Sequence, residues 1–137
     1  MITVPPTPTM MTVTIECPPI PKGRPRMNPR TGRAYTPPRT KMAEDDARWW
    51  LRVGMNRIGA AVPFAGPLAV DLTFIPADNR RVDLDNLVKL IWDAANGVVW
   101  VDDCQVIDLH ARKRLPDKTH PHTLFTVRAA EVAGPLL

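Results

Sequence analysis

Asp83 and Asp85 stand one residue apart in Arg-Val-Asp-Leu-Asp-Asn, residues 81–86, just ahead of a run with helical periodicity. Two carboxylates held this close repel each other unless a cation lies between them. In an extended approach to the helix both project to one side, with Leu84 turned to the core. With a helix start near Asp85, Lys89 and Asp93 follow at four-residue steps, which stacks Asp85, Lys89 and Asp93 on one face. A second acidic pair, Asp102 and Asp103, comes after a tight turn at Gly97, where the chain can fold back toward the helix start and bring several carboxylates together. Convergent oxygen ligands that leave room for water and phosphate oxygens suit Mg²⁺ or Mn²⁺. A lysine beside them would orient an attacking water or offset charge on a scissile phosphate, a part that Lys89 fits.

The same residues have structural uses. Asp85 could cap the helix, Asp83 could pair with Arg80 or Arg81, and Asp85 with Lys89 could be an exposed ion pair. Capping accounts for one carboxylate but gives its neighbour and the second pair no shared purpose. An EF-hand is a poor fit, because "DLDNLVKLIWDA" turns apolar where that loop needs Gly and a closing Glu. A phosphoaspartyl enzyme would need a larger sheet than this chain offers.

The elements that must position these groups can be read from periodicity. "MTVTIEC" (11–17) alternates as a half-buried strand and ends at Pro18 and Pro19. A helix is predicted from Thr40 to about Ile58, with Met42, Ala47, Trp50, Leu51 and Met55 on one face. Leu68, Val70, Leu72 and Phe74 mark a strand, and Leu87, Leu90, Ile91 and Ala94 mark a helix that stops at Gly97. After the short apolar segment and the acidic turn comes a strand through "QVIDLHARKRL", and "HTLFTVRAAE" is a last strand expected beside it. The order predicts an α+β fold: a single domain over 11–137 with two helices packed on a small, mostly antiparallel sheet. Residues 1–10, rich in Pro and Thr, read as a disordered lead-in.

At 137 residues the chain suits one domain with a real core. A net charge of +4 favours an anionic partner. Cys17 and Cys104 have neither zinc-ligand nor disulfide spacing. The sequence has no apolar run long enough for a membrane span and no secretory signal pattern, so a soluble cytoplasmic protein is expected.

Between Pro18 and Lys41 a long Pro/Gly-broken loop carries Lys22, Arg24, Arg26, Arg30, Arg33, Arg39 and Lys41 with no acid after Lys22. Such a loop can follow a phosphate backbone; alternatively it is a solvated loop, and the acidic site nearby tips the reading to DNA. Arg112, Lys113, Arg114 and Lys118 form a second basic cluster, and Arg80 and Arg81 adjoin the aspartates. Tyr35 and Phe64, on loops, are the aromatic candidates for touching DNA. Trp92 and Trp100 are expected in the core or a dimer contact, and His120 and His122 at a hairpin edge.

"RVDLDNLVKLIWDAANGVVWVDDCQVID" closely resembles the core motif of the RusA-type Holliday junction resolvases, in which Asp-x-Asp-Asn is followed by Lys, Asp, a Gly-containing turn and Asp-Asp-x-x-Val. Asp83, Asp85, Asn86, Lys89, Asp93, Gly97, Asp102, Asp103 and Val106 fill those positions. The resemblance implies a Mg²⁺-dependent homodimer, with Mn²⁺ able to substitute, that nicks four-way DNA junctions in symmetric pairs. Asp83, Asp85 and Asp103 would be the main metal-binding acids, Asp102 a supporting one, and Lys89 the catalytic base or phosphate stabiliser. Asn86 and Asp93 would support them, Asp93 by holding Lys89. Lys22, Arg24, Arg26, Arg30, Arg33, Arg80 and Arg81 would contact the branched DNA. The work would be recombination, repair or phage DNA processing, in the cytoplasm of a bacterial or phage-infected cell. The rivals are a non-catalytic branched-DNA-binding protein and a metal-dependent phosphohydrolase of a small phosphate ester.

Overall fold

Met11, Val13 and Ile15 alternate with threonines and methionine, and this segment forms the first strand, β1 (Met10–Ile15), with those three side chains buried. The structure, a computed structural model, describes residues 7–131. Most of the expected lead-in, residues 1–6, lies outside that range. Its end is already part of the sheet: Met10 opens β1, and the Thr9 carbonyl accepts a hydrogen bond from the Ala129 amide at 3.1 Å.

After β1 the basic loop contains a short hairpin, β2 (Arg26–Met27) paired with β3 (Ala34–Tyr35). Its turn is closed by Asn28, whose side-chain oxygen accepts from the Arg30 amide at 2.9 Å, and by Gly32 at φ 68°. The hairpin's four strand residues are all exposed, so it stands off the domain as an arm. Pro38 sits in the first turn of α1 (Pro38–Arg57), where its missing N–H costs nothing.

The elements that follow are β4 (Leu68–Ile75), α2 (Leu84–Ala95), a 3₁₀ turn at Asp103–Gln105, β5 (Val106–Lys113) and β6 (His122–Ala129). The strands form one sheet in the order β1-β6-β4-β5. β6 is antiparallel to both β1 and β4, while β5 is parallel to β4. The fold is therefore α+β with a mostly antiparallel sheet, as the element order predicts. The last strand departs from expectation: β6 lies between β1 and β4, not beside β5. A parallel neighbour needs a long crossover, and α2 supplies it between β4 and β5.

Register places one apolar row across the sheet. Val70, Leu72 and Phe74 stand beside Val127, Phe125 and Thr123 of β6 and beside Leu109, Ala111 and Lys113 of β5. Met11, Val13 and Ile15 extend the row through β6. Both helices share the core with this face, through Ala47, Leu51 and Met55 of α1 and Leu87, Leu90, Ile91 and Ala94 of α2. α1 meets β1 so closely that a Cβ on Gly54 would lie 2.7 Å from the Met11 sulfur and 3.0 Å from the Val13 Cβ, so a larger residue there would have to push the strand's side chains aside. The buried stripe of α1 is Thr40, Glu44, Ala47, Leu51, Gly54 and Met55; Met42, expected on it, is 67% exposed.

Trp100, fully buried, fixes the far end of α2. Its indole N–H donates to the Asn96 side chain at 2.7 Å, and its ring packs edge-on against Trp92 at 5.3 Å. Gly97, at φ 81°, makes the turn between them. Among the described residues no helix is long and apolar enough to cross a membrane.

Candidate active site

The N-terminus of α2 carries the first two aspartates. Asp83 is the residue before the helix, in extended conformation, and its carboxylate makes no capping hydrogen bond. Asp85, in the first turn, accepts among the described residues only from the adjacent Asn86 amide, at 2.9 Å. Both are exposed, with most of their lone pairs free. They line an open groove with Lys89, one turn further along, and with Leu84, Val88, Trp92, Leu109 and Ala111 as its apolar wall. Leu84 lies in this wall beside the carboxylates, partly buried against the core.

Lys89 is exposed, and neither Asp85 nor Asp93 pairs with it among the described residues. Asp93 instead holds Lys22, at 2.7 Å, and Glu44 of α1 is the second partner of the same ammonium. Burial disfavours the Lys22 charge, yet the bonds from Asp93 and Glu44 outweigh it and raise the lysine's pKa. The Lys22 amide also donates to the Asn86 carbonyl at 2.9 Å. Lys22 is thus a tie between the base of the arm and both helices, not a free cation for phosphate. Glu44 is the charged residue on the buried stripe of α1, and a charge at helical spacing with Ala47, Leu51 and Met55 is the sequence signal for a buried partner.

Asp102 and Asp103 lie at the other end of α2. Asp102 caps the 3₁₀ turn, accepting from the Cys104 amide at 3.2 Å. Asp103 accepts from the Asn96 side chain at 3.4 Å, and Asn96 is the residue that ends α2. Gln105, which no sequence pattern singled out, anchors this turn: it accepts from the Val101 and Asp102 amides and donates to the Phe64 and Gly66 carbonyls at 2.9 and 3.1 Å. The 12 residues of α2 span roughly 18 Å at 1.5 Å per residue, so Asp103, bonded to Asn96 at the C-terminal end, is about a helix length from Asp83. The expected fold-back of Asp103 onto Asp83 and Asp85 does not occur within one chain. Among the described residues no three acidic, histidine or cysteine side chains are grouped to hold a metal ion.

The remaining basic residues divide by engagement. Arg24, Arg26, Arg30 and Arg33 are exposed on or beside the arm. Arg81 is exposed next to the aspartates, and Arg80 pairs with Asp78 at 3.3 Å. Arg112 is held on the opposite sheet face by Asp71, at 2.8 and 3.1 Å, and by Thr73, at 2.8 Å. Lys113, whose side chain register sets on the helix side, donates to the Val82 carbonyl at 2.7 Å and so steadies the segment that presents Asp83. Of the aromatic candidates, Tyr35 is exposed on the arm, whereas Phe64 is buried and pairs its backbone with Trp100.

Taken together, α2 presents two hard-oxygen donors with a lysine at one end and two more acids at the other, beside a strongly basic arm. The family model for endodeoxyribonuclease RusA matches residues 16–128. A crossover junction endodeoxyribonuclease RusA from Aquifex aeolicus (strain VF5) is 31% identical over 99 residues, which cover 71% of this chain and 75% of that protein. The matched span begins just after β1 and contains every element from β2 through most of β6, and on this ground the chain belongs to the RusA endodeoxyribonuclease family.

Proposed function

We propose that this RusA-family endodeoxyribonuclease is a Mg²⁺-dependent resolvase that works as a homodimer and cuts four-way DNA junctions by paired, symmetric nicks, in the cytoplasm of a bacterial or phage-infected cell. The observation that carries the reading is the open groove in which Asp83 and Asp85, with lone pairs to spare, stand one turn from Lys89, which has no acidic partner among the described residues. Two carboxylates with open positions suit Mg²⁺, which keeps waters and takes substrate phosphate oxygens as further ligands. Asp83 and Asp85 would hold the ion, which when bound would supply Lewis-acid polarisation of a phosphate oxygen and of an attacking water. Lys89 would neutralise a phosphate oxygen in the transition state, and Asn86 would hold the helix start through its carbonyl bond from Lys22. The exposed arginines of the arm, with Arg80 and Arg81, would seat the phosphate backbones.

The dimer has a physical motive. Asp103 is too far to join Asp83 and Asp85 of its own chain, but a two-fold axis that sets two α2 helices antiparallel puts Asp103 of one copy beside Asp83 and Asp85 of the other, twice. The surface beside α2 favours such a contact: β5 is an edge strand, and it exposes Leu109, in the groove wall, and Ile107, two residues before it. Asp102 would support the shared site.

The test is incubation with Mg²⁺ and a labelled synthetic four-way junction, with nicks mapped on every strand, and a chromogenic phosphate ester in parallel. The expected result is a symmetric pair of nicks on opposed strands, abolished by EDTA, with the ester untouched. Junction binding without nicking would establish the non-catalytic rival, and ester turnover alone the phosphohydrolase.

A further inference from the structure

Two concavities beside the site share Ile20, Pro21, Arg39, Arg80 and Val82 as walls and so form one groove. It runs from the end of β5 past residues 76–82 to the base of the arm, and Val82 puts it next to Asp83. Its floor is apolar, made by prolines with Ile20 and Leu87, and Leu115 stands on its lip, 88% exposed. Its rim is basic: Lys113 and Arg114 at one end, Arg24 and Arg26 at the other, with Arg39 and Arg80 where the two halves join. The one acid among the lining residues, Asp78, is engaged by Arg80 at 3.3 Å.

A basic rim alone would suit any nucleic acid, but the floor discriminates. A duplex keeps its base faces stacked and offers phosphates, so it would leave the apolar floor wet. An unpaired strand can lay base faces on the floor and phosphates on the rim, the two interactions by which single strands are bound. No aromatic ring lines either half, so the bases would be held by apolar contact, with little preference among them. We propose that this groove takes a stretch of unpaired DNA strand leading to the phosphate at Asp83. The proposal rests on the resolvase reading and adds to it a strand-separated substrate.

The test compares, by fluorescence anisotropy with Ca²⁺ in place of Mg²⁺, a labelled 12-nucleotide oligothymidine with a duplex of equal length, at low and raised salt. The single strand is expected to bind roughly tenfold more tightly, and the gap to widen with salt because apolar contact is not screened. Leu115→Ser should narrow that gap roughly fivefold, and its exposure removes any risk to folding. Ala77→Gln, which fills the groove wall with a polar side chain that offers base faces no apolar surface, should close it. Equal binding of the two forms, a gap unmoved by both variants, or competition by polyglutamate of the same charge as effective as by the strand would overturn the groove. Junction nicking measured alongside keeps the two ideas apart. Nicking without single-strand preference removes the groove and leaves the resolvase; preference without nicking does the reverse.

Discussion

Asp83 and Asp85 have little structural work within their own chain, and this separates them from every other acid near the site. Asp83→Asn and Asp85→Asn should therefore fold normally and each lower junction nicking by at least about 100-fold, the scale of losing a charge-stabilising group at a reacting centre. Junction affinity should hold or tighten, since each change removes a charge that repels phosphate; full nicking by either variant in the mapped-junction assay would overturn the assignment. Lys22 behaves oppositely. Lys22→Met leaves Glu44 buried without its partner, an expected loss of about 3–5 kcal/mol in denaturant unfolding, and adding Glu44→Met should recover much of it. The log–log salt dependence of junction binding should shallow by about one unit for each of Arg24→Ala and Arg26→Ala, and stay at its wild-type slope in the Lys22→Met/Glu44→Met pair. Sequence spacing revealed Asp83, Asp85 and Lys89 as a group because the three span the start and first turns of one helix. It misjudged Lys22 because the partners, Glu44 and Asp93, come from two helices far along the chain, and no local pattern records which cation faces inward.

At the scale of elements, periodicity found both helices and the main strands, since each buries one continuous stripe. It could not order the strands: apolar alternation says which face of β6 is buried, not that β4 and β1 flank it. The non-helical face of the sheet was also invisible. There Arg112, on β5, is tied to Asp71 and Thr73 of β4 across the parallel pair. The hydrogen bond from Arg112 holds the Asp71 carboxyl below its ordinary 3.8. A depressed folded pKa means stability that is present above the ordinary value and lost as pH falls through the folded one. Asp71→Asn should accordingly lower the urea midpoint at pH 7, by a small amount because the pair is partly exposed, and have no effect in strong acid. A midpoint difference that persists unchanged at pH 2 would show that the pair is not the cause. At the opposite end of α2, Arg48 of α1 donates to the Asp93 and Ala94 carbonyls at 3.0 and 3.2 Å, which completes the helix and fixes where Asn96 and Asp103 begin.

At the scale of the whole molecule, the acids stand at both ends of one helix. If each site is built from two copies, mixing two inactive proteins, Asp83→Asn and Asp103→Asn, must restore activity: the mixed dimer has one site with both defects and one with none. The expected product is a single nick instead of a symmetric pair; no recovery after subunit exchange would place all the acids of a site in one chain. Leu109→Asp, on the apolar wall, should yield monomers in sedimentation and abolish nicking along with dimerisation. Sequence could suggest the pairing only through the family likeness, since a two-fold axis leaves no periodicity in a single chain. In the paired arrangement α2 becomes a caliper. Its 12 residues separate the two sites by roughly 18 Å, whatever the arm or the groove contributes. The stagger between the two cuts would then be written in the number of helical turns between Asp83 and Asn96, and lengthening α2 by two turns would move the cuts apart by roughly 11 Å while leaving each site's chemistry intact.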